Sequence, residues 1–228
     1  MAHLLDNPVW NALISGNESL ANGDERAKYF PRDVSPFVGL AAITPAGLVA
    51  LHDLIPFEGT FGVVTPDELT IPALWTVVRH TRVLQLVHDA PAEPVAAQQA
   101  LVPLREQHVP AMLALTRMTN PGPFFQNTIA FGHYEGIFQG TELVAMAGQR
   151  LHPRPYAEIS AVCTHPDHLG QGHARQLLLS QIRRIKAAAG IPFLHVRADN
   201  ARAIAVYKFL GFAVRRELSI YTIQQQHA

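Results

Sequence analysis

Gly170 and Gly172 stand between an apolar run that ends at Thr164 and a long amphipathic stretch. A glycine turn feeding a helix start can hold phosphate. Unpaired backbone N–H groups and the positive end of the helix dipole converge there. Glycine keeps side chains out of such a turn and permits left-handed backbone. Titratable side chains flank it on both sides. Glu158 lies upstream, Cys163 just before the turn, and Tyr207 downstream. A carboxylate can take a proton, and a phenol can give one. Cys163 with His165, His168 and His173 offers thiolate and imidazole, the ligands of zinc. Those residues already read as a strand end, a turn and a helix opening, so no metal is expected. Cys163 has no base that the sequence identifies, and lone cysteines are commonly inert core residues.

The elements that must position these groups emerge from the pattern. Ala157 to Thr164 reads as a strand. After Gly172, Ala174, Leu177, Leu178, Ile182, Ile185 and Ala189 fall on one face at helical spacing, and Gly190 and Pro192 stop the helix. Phe193 to Arg197 is a short strand. A second helix starts after Asp199-Asn200, either of which can cap it, carries Tyr207, and ends before Gly211. Many nucleotide folds share this order. No Walker-type Gly-x-x-x-x-Gly-Lys-Ser/Thr is present. The third glycine of a dinucleotide fingerprint would fall on Arg175.

Three blocks narrow the choice. Val162-Cys163-Thr164-His165-Pro166 is a strand end followed by His-Pro. Leu169-Gly170-Gln171-Gly172-His173-Ala174 carries the two glycines. Asn200-x-x-Ala203-x-x-x-Tyr207 is followed by Leu210-Gly211-Phe212. In this order they resemble the N-acetyltransferase superfamily abbreviated GNAT, whose acyl-CoA signature is Gln/Arg-x-x-Gly-x-Gly/Ala. The C-terminal part also resembles the glycine N-acyltransferase-like branch. The resemblance spans roughly residues 100 to 225. One position departs from it, since Leu169 stands where the signature has Gln or Arg. Arg175 is the candidate to supply positive charge instead.

The resemblance implies an α/β (α+β) chain. Residues 96–228 would form a GNAT domain with a mixed, mostly antiparallel sheet splayed between two central strands. Residues 1–95 would form a smaller α/β domain, a candidate degenerate half of the same kind. It implies transfer of acetyl from acetyl-CoA to a primary amine of a small molecule, in a ternary complex. A longer acyl-CoA, CoA binding without turnover, or an interaction role through the first ~95 residues is the alternative. Gly170, Gln171, Gly172, His173, Ala174 and Arg175 would surround the pyrophosphate. Val162, Cys163 and Thr164 would offer a free strand edge to the pantetheine arm. Asn200 would bond a pantetheine amide or serve only as a helix cap. Glu158 would be the base, or else a structural ion pair. Tyr207 would protonate the departing thiolate, or else pack. Phe124 and Phe125, in the rigid stretch Thr119 to Phe125, would line the acceptor pocket or pack in the core.

The remaining sequence bounds this reading. Lys+Arg equals Asp+Glu, 18 against 18, so a nucleic-acid partner with its basic face is not expected. The single cysteine excludes an internal disulfide. No apolar run approaches a membrane span and the first residues lack a signal-peptide pattern, so the protein is expected in the cytoplasm, with a homodimer open to it. In the first segment Leu4 to Leu20 reads as helix. Phe37 to Ala42 and Leu48 to Leu54 are short apolar runs around a turn at Thr44 to Gly47. Leu74 to Arg79 and Val83 to His88 read as a hairpin turning at His80-Thr81-Arg82. Ala90 to Pro94 reads as a linker. Beyond it, Leu101 to Glu106 reads as a strand, Val109 to Met118 as a helix, and Tyr134 to Phe138 with Leu143 to Leu151 as a hairpin.

Overall fold

A computed structural model describes residues 3–90 and 101–226. Pro91 to Pro94 of the expected linker lie outside the described residues. The elements of the first segment are α1 (Pro8–Leu13), β1 (Asn22–Gly23), β2 (Ala27–Tyr29), β3 (Phe37–Leu40), α2 (Pro45–Leu54), β4 (Thr60–Thr65) and β5 (Trp75–His88). The second brings β6 (Val102–Pro103), α3 (Val109–Thr119), β7 (Glu135–Gln139), β8 (Glu142–Gln149) and β9 (Tyr156–Thr164). It ends with α4 (His173–Ala187), β10 (Ile191–Arg197), α5 (Ala201–Phe209) and β11 (Phe212–Gln225). Among the described residues no helix is long and apolar enough to cross a membrane.

The strands form one sheet in the order β1-β2-β3-β4-β11-β5-β10-β9-β8-β7-β6. Neighbours are antiparallel except β3 with β4 and β9 with β10. This is the mixed, mostly antiparallel sheet that the resemblance implied. The expected boundary at residue 95 falls within that sheet. β5, from the first segment, lies between β10 and β11 of the second. β11 in turn pairs with β4 on its other side.

Two helix layers cover the sheet. On one face, Leu5, Val9 and Leu13 from the chain start, Phe30, Phe37, Met112 and Leu115 of α3, Cys163 and Phe193 share a single core across both segments. On the other, Leu178, Ile182 and Ile185 of α4 meet Leu86, Ile159, Leu194, Val196 and Phe212. The apolar stripe read from sequence on α4 is this buried face.

Three sequence expectations are corrected. The expected hairpin is one strand, β5, paired with β11 from His88 to Trp75. His80-Thr81-Arg82 holds none of the residues that force a reversal, and a long partner keeps it extended. The turn expected at Thr44 to Gly47 is instead the start of a helix that runs on through Leu54. Thr44 caps α2 by accepting from Gly47 N–H at 3.2 Å, and Pro45 opens the helix. The expected Leu4–Leu20 helix is broken into short pieces around α1. Asn7 and Pro8 interrupt it.

Candidate active site

β9 and β10 pair in parallel at Tyr156/Ile191, Ala157/Pro192 and Glu158/Phe193, and then part. Beyond this fork, among the described residues, β10 pairs only with β5, and β9 only with β8. Val162, Cys163 and Thr164 therefore end β9 with a free edge toward β10. The Thr164 hydroxyl is buried there without a hydrogen-bond partner. A buried polar atom without a partner is costly, so an orphan at a strand edge is a place for a ligand's polar group.

The turn after β9 runs through Pro166–His168 and Leu169 into Gly170 and Gly172, whose φ values are +80° and +81°. Gly172 precedes α4 and gives it no side-chain cap. From Gly170 to Arg175 no backbone N–H meets a backbone acceptor among the described residues; the first to do so is Gln176, on Gly172. A Cβ placed at Gly170 or Gly172 would meet no atom within 4 Å, so the cradle opens outward. Leu169 is exposed and contributes no polar atom. Arg175 is also exposed and has no ion pair among the described residues. His173 is buried, with Nε2 unpartnered, and burial lowers its pKa. Gln171 reaches His168 at 3.5 Å. Ala174 lies in the first turn of α4. This donor set fits a pyrophosphate through backbone N–H groups.

Tyr207, on α5, packs edge-on to Phe212 and against the same apolar cluster as Val162. Its hydroxyl has no hydrogen-bond partner among the described residues. Burial pushes its pKa up to about 12, so the phenol holds its proton. Asn200 caps α5, accepting from Ala203 N–H at 3.1 Å. Its side-chain oxygen is thereby engaged, which is the cap alternative.

Glu158 is wholly buried and fully engaged. Arg150 donates to both its oxygens, at 2.9 and 2.6 Å. His195 Nδ1 lies 2.8 Å from Oε1, and Leu151 N–H 3.3 Å from Oε2. A carboxylate accepts about four hydrogen bonds. Burial would raise its pKa, but Arg150 and then His195 outweigh that and hold it far below the usual carboxylate range. Geometry and charge both favour the structural-pair alternative over a base poised near neutral pH.

Cys163 is buried, and burial pushes its thiol up to about 12, against a nucleophilic role. Among the described residues no group of three or more His, Cys, Asp or Glu side chains is arranged to hold a metal ion. Phe124 packs against the shared core and meets Tyr134 edge-on at 5.7 Å, whereas Phe125 is exposed.

Sequence reasoning missed several groups. In β9 the register shifts so that Ala161 and Val162 together oppose Ala147, and Ala161 takes φ +53°. This is a β-bulge, which leaves a residue out of the ladder and re-aims the strand. No glycine marked it. Arg150, Gln85 and His195 were missed as well. The only available signal was the alternation Phe193-Leu194-His195-Val196, which puts one polar residue on an otherwise apolar strand.

The same region matches known proteins. A family model described as FR47-like protein matches residues 134–220. N-alpha-acetyltransferase RimI of Mycobacterium tuberculosis is 36% identical over 84 residues, 35% of this chain and 51% of that protein. Mycothiol acetyltransferase of Saccharomonospora viridis is 36% identical over 91 residues, 39% of this chain and 29% of that protein. The chain thus spans about half or less of the length of these curated relatives. A solved GNAT-family structure from Novosphingobium aromaticivorans matches throughout, with 32% identity over 99% of this chain and 100% of that one, and a TM-score of 0.91. With the fork, the glycine cradle and the whole-chain match in agreement, this chain belongs to the GNAT family of acetyltransferases.

Proposed function

We propose that this chain transfers an acetyl group from acetyl-CoA to a primary amine of a small molecule, by direct attack in a ternary complex. The observation that carries the reading is the run of N–H groups from Gly170 to Arg175 that meet no backbone acceptor among the described residues, opening beside the fork between β9 and β10. The cradle holds the pyrophosphate through those N–H groups, with the Arg175 guanidinium supplying the charge that Leu169 lacks. The free edge at Val162, Cys163 and Thr164 takes the pantetheine arm as a short added strand. The bulge at Ala161 leaves backbone polar groups out of the ladder where a thioester carbonyl would be polarised.

In the transfer step the amine nitrogen bonds to the carbonyl carbon, the C–S bond breaks, and sulfur leaves as thiolate. Tyr207, kept protonated by its raised pKa, gives the thiolate a proton, and the surplus amine proton returns through water to restore the phenol. Glu158 is already saturated and serves the architecture of the fork.

The loop carrying Phe124 and Phe125 is tied to the first segment: Asn127 N–H donates to Asp33 O at 2.9 Å and Thr128 Oγ1 to Val34 O at 2.7 Å. That contact holds the loop in place. The test is a thermal-shift and thiol-release screen with acetyl-CoA against amino acids and small amines. At 100 times its Kd, acetyl-CoA should stabilise the protein by about 2.7 kcal/mol. No shift at saturation would sink the reading. Faster release from longer acyl-CoA donors would replace acetyl as the group carried, and a shift with no thiol release across the panel would make the protein a CoA sensor.

A further inference from the structure

We infer that Glu158, His195 and Gln85 form a side-chain clamp that fixes where β9 and β10 part and so sets the slot for the pantetheine arm. The inference rests on the acetyl-CoA reading above and adds positioning residues to it.

Glu158 and Phe193 are the last paired residues before the fork. The backbone ladder has already stopped when His195 Nδ1 reaches across from β10 to Glu158 Oε1 at 2.8 Å. A buried side-chain bond therefore replaces the next backbone rung. The other ring nitrogen, Nε2, lies 2.9 Å from the Gln85 amide nitrogen on β5, the opposite neighbour of β10. Gln85 is held in that orientation on both sides. Its amide also donates to Leu5 O at 2.9 Å, and its carbonyl oxygen accepts from Arg215 Nε at 2.5 Å. Arg215 is itself bonded to Asp6 at 2.5 Å.

Donor and acceptor directions then leave one self-consistent arrangement. Gln85 donates to Nε2, so His195 carries its proton on Nδ1 and donates to Glu158. Arg150 anchors the far side of the carboxylate. Every member is buried or nearly so, with His195 6% and Glu158 1% exposed at the side chain. Buried, satisfied networks of this kind hold one geometry in preference to others. Strand separation at a fork is otherwise free to vary, since no ladder defines it.

Two substitutions at one position separate the arms. Asn places its amide nitrogen where Nδ1 stands and keeps the bond to Glu158. Gln places its polar atoms near Nε2 and keeps only the bond to Gln85. CoA binding is measured by calorimetry on the full chain, with Tm as a check on folding. His195→Asn is expected to hold the Kd for CoA within about 3-fold of wild type. His195→Gln is expected to weaken it about 10-fold or more at a similar Tm, with kcat at saturating donor less affected. Equal Kd for both variants and wild type, or equal losses in both, overturns the clamp. Failure of the wild-type protein to bind CoA overturns the functional reading instead, and the clamp with it. Should His195→Gln not fold, nitrogen NMR of the wild-type His195 ring decides: a proton on Nδ1 whose signal moves on adding CoA is expected, and an Nε2–H tautomer or an unresponsive signal overturns the clamp.

Discussion

β3, α2 and β4 make the same parallel crossover as β9, α4 and β10, and in both the strands part soon after they pair. The first pair meets at Phe37/Gly62 and Val38/Val63, the second at the three positions up to Glu158/Phe193. The two crossovers differ in the turn that leads from strand to helix. After β3, Ala41 N–H goes to Arg26 O, Thr44 N–H to Ala42 O, and Gly47 N–H to the Thr44 hydroxyl; Pro45 has no N–H to offer. After β9 no N–H from Gly170 to Arg175 meets a backbone acceptor among the described residues. Val38, Leu40, Leu48, Leu51, Phe61 and Trp75 pack into one cluster, and a Cβ at Gly39 would stand 2.7 Å from the Trp10 backbone. A crossover is therefore only a frame. A Thr-Pro start pairs part of its N–H groups, and a Gly-x-Gly start leaves them open.

The most damaging way to separate the two frames is to cut between them. Removing residues 1–95 takes away β5, which lies between β10 and β11. The shared core also loses Leu5, Val9, Leu13, Phe30 and Phe37. The remaining chain is expected to lose its cooperative unfolding transition altogether, as circular dichroism melts would record. A truncated chain that melts sharply and binds CoA would make the two frames separable domains.

A smaller but still large effect should come from Tyr207→Phe, since nothing after β4 supplies a matching acid: the chain runs into β5 without an intervening helix. The expected loss is about 10²- to 10⁴-fold in kcat, the usual worth of a general acid, with the Kd for CoA unchanged. The raised pKa, about 12, sets the pH profile. The neutral phenol is the working form and persists through the alkaline range. Rate should then rise with pH as the acceptor amine loses its proton, with no descending limb below about pH 11. A descending limb near the ordinary tyrosine pKa that persists in Tyr207→Phe would assign the acid to another group.

The asymmetry between the two helix starts can be exchanged residue for residue. Gly172→Val forces a β-branched residue into φ +81° and puts methyl groups in the cradle. Left-handed backbone costs such a residue about 1–2 kcal/mol, and together these effects should weaken CoA binding about 10- to 100-fold. Thr44→Ala at the other start should leave CoA binding unchanged. It should lower stability by about 1 kcal/mol, the worth of a helix cap, read from the denaturation midpoint. A loss of CoA affinity in Thr44→Ala would mean that the first frame also takes part in binding.

How far all this could be read in advance depended on whether the information was local. The α4 stripe, the Gly170 and Gly172 turn and the Asn200 cap are local patterns, and the mostly antiparallel sheet came with the family resemblance. β5 was misread as a hairpin because its straightness comes from β11, more than a hundred residues away. The same distance hid Gln85 as a neighbour of His195, and the Ala161 bulge carried no glycine to announce it. The ambiguity at Glu158 also turned on remote partners. A glutamate in a strand looks the same in sequence whether its carboxylate is free or, as here, held by Arg150 and His195.

The finest test concerns Leu169, where the open frame lacks the polar residue of the family signature. Arg175, one residue past the signature, is exposed and unpaired among the described residues. If it supplies the missing charge, Arg175→Ala should weaken CoA binding only about 2- to 5-fold at low salt. An exposed charge acts through high dielectric, and salt screens it over about 10 Å at 0.1 M, so the difference should fade as salt rises. Leu169→Gln should restore affinity in the Arg175→Ala background by returning a polar group to the cradle, and this gain should survive high salt because it comes from a hydrogen bond. Two variants that bind CoA as wild type does at every salt concentration would leave the backbone N–H groups as the whole of the cradle, and the contrast with the Thr44 start would then rest on backbone alone.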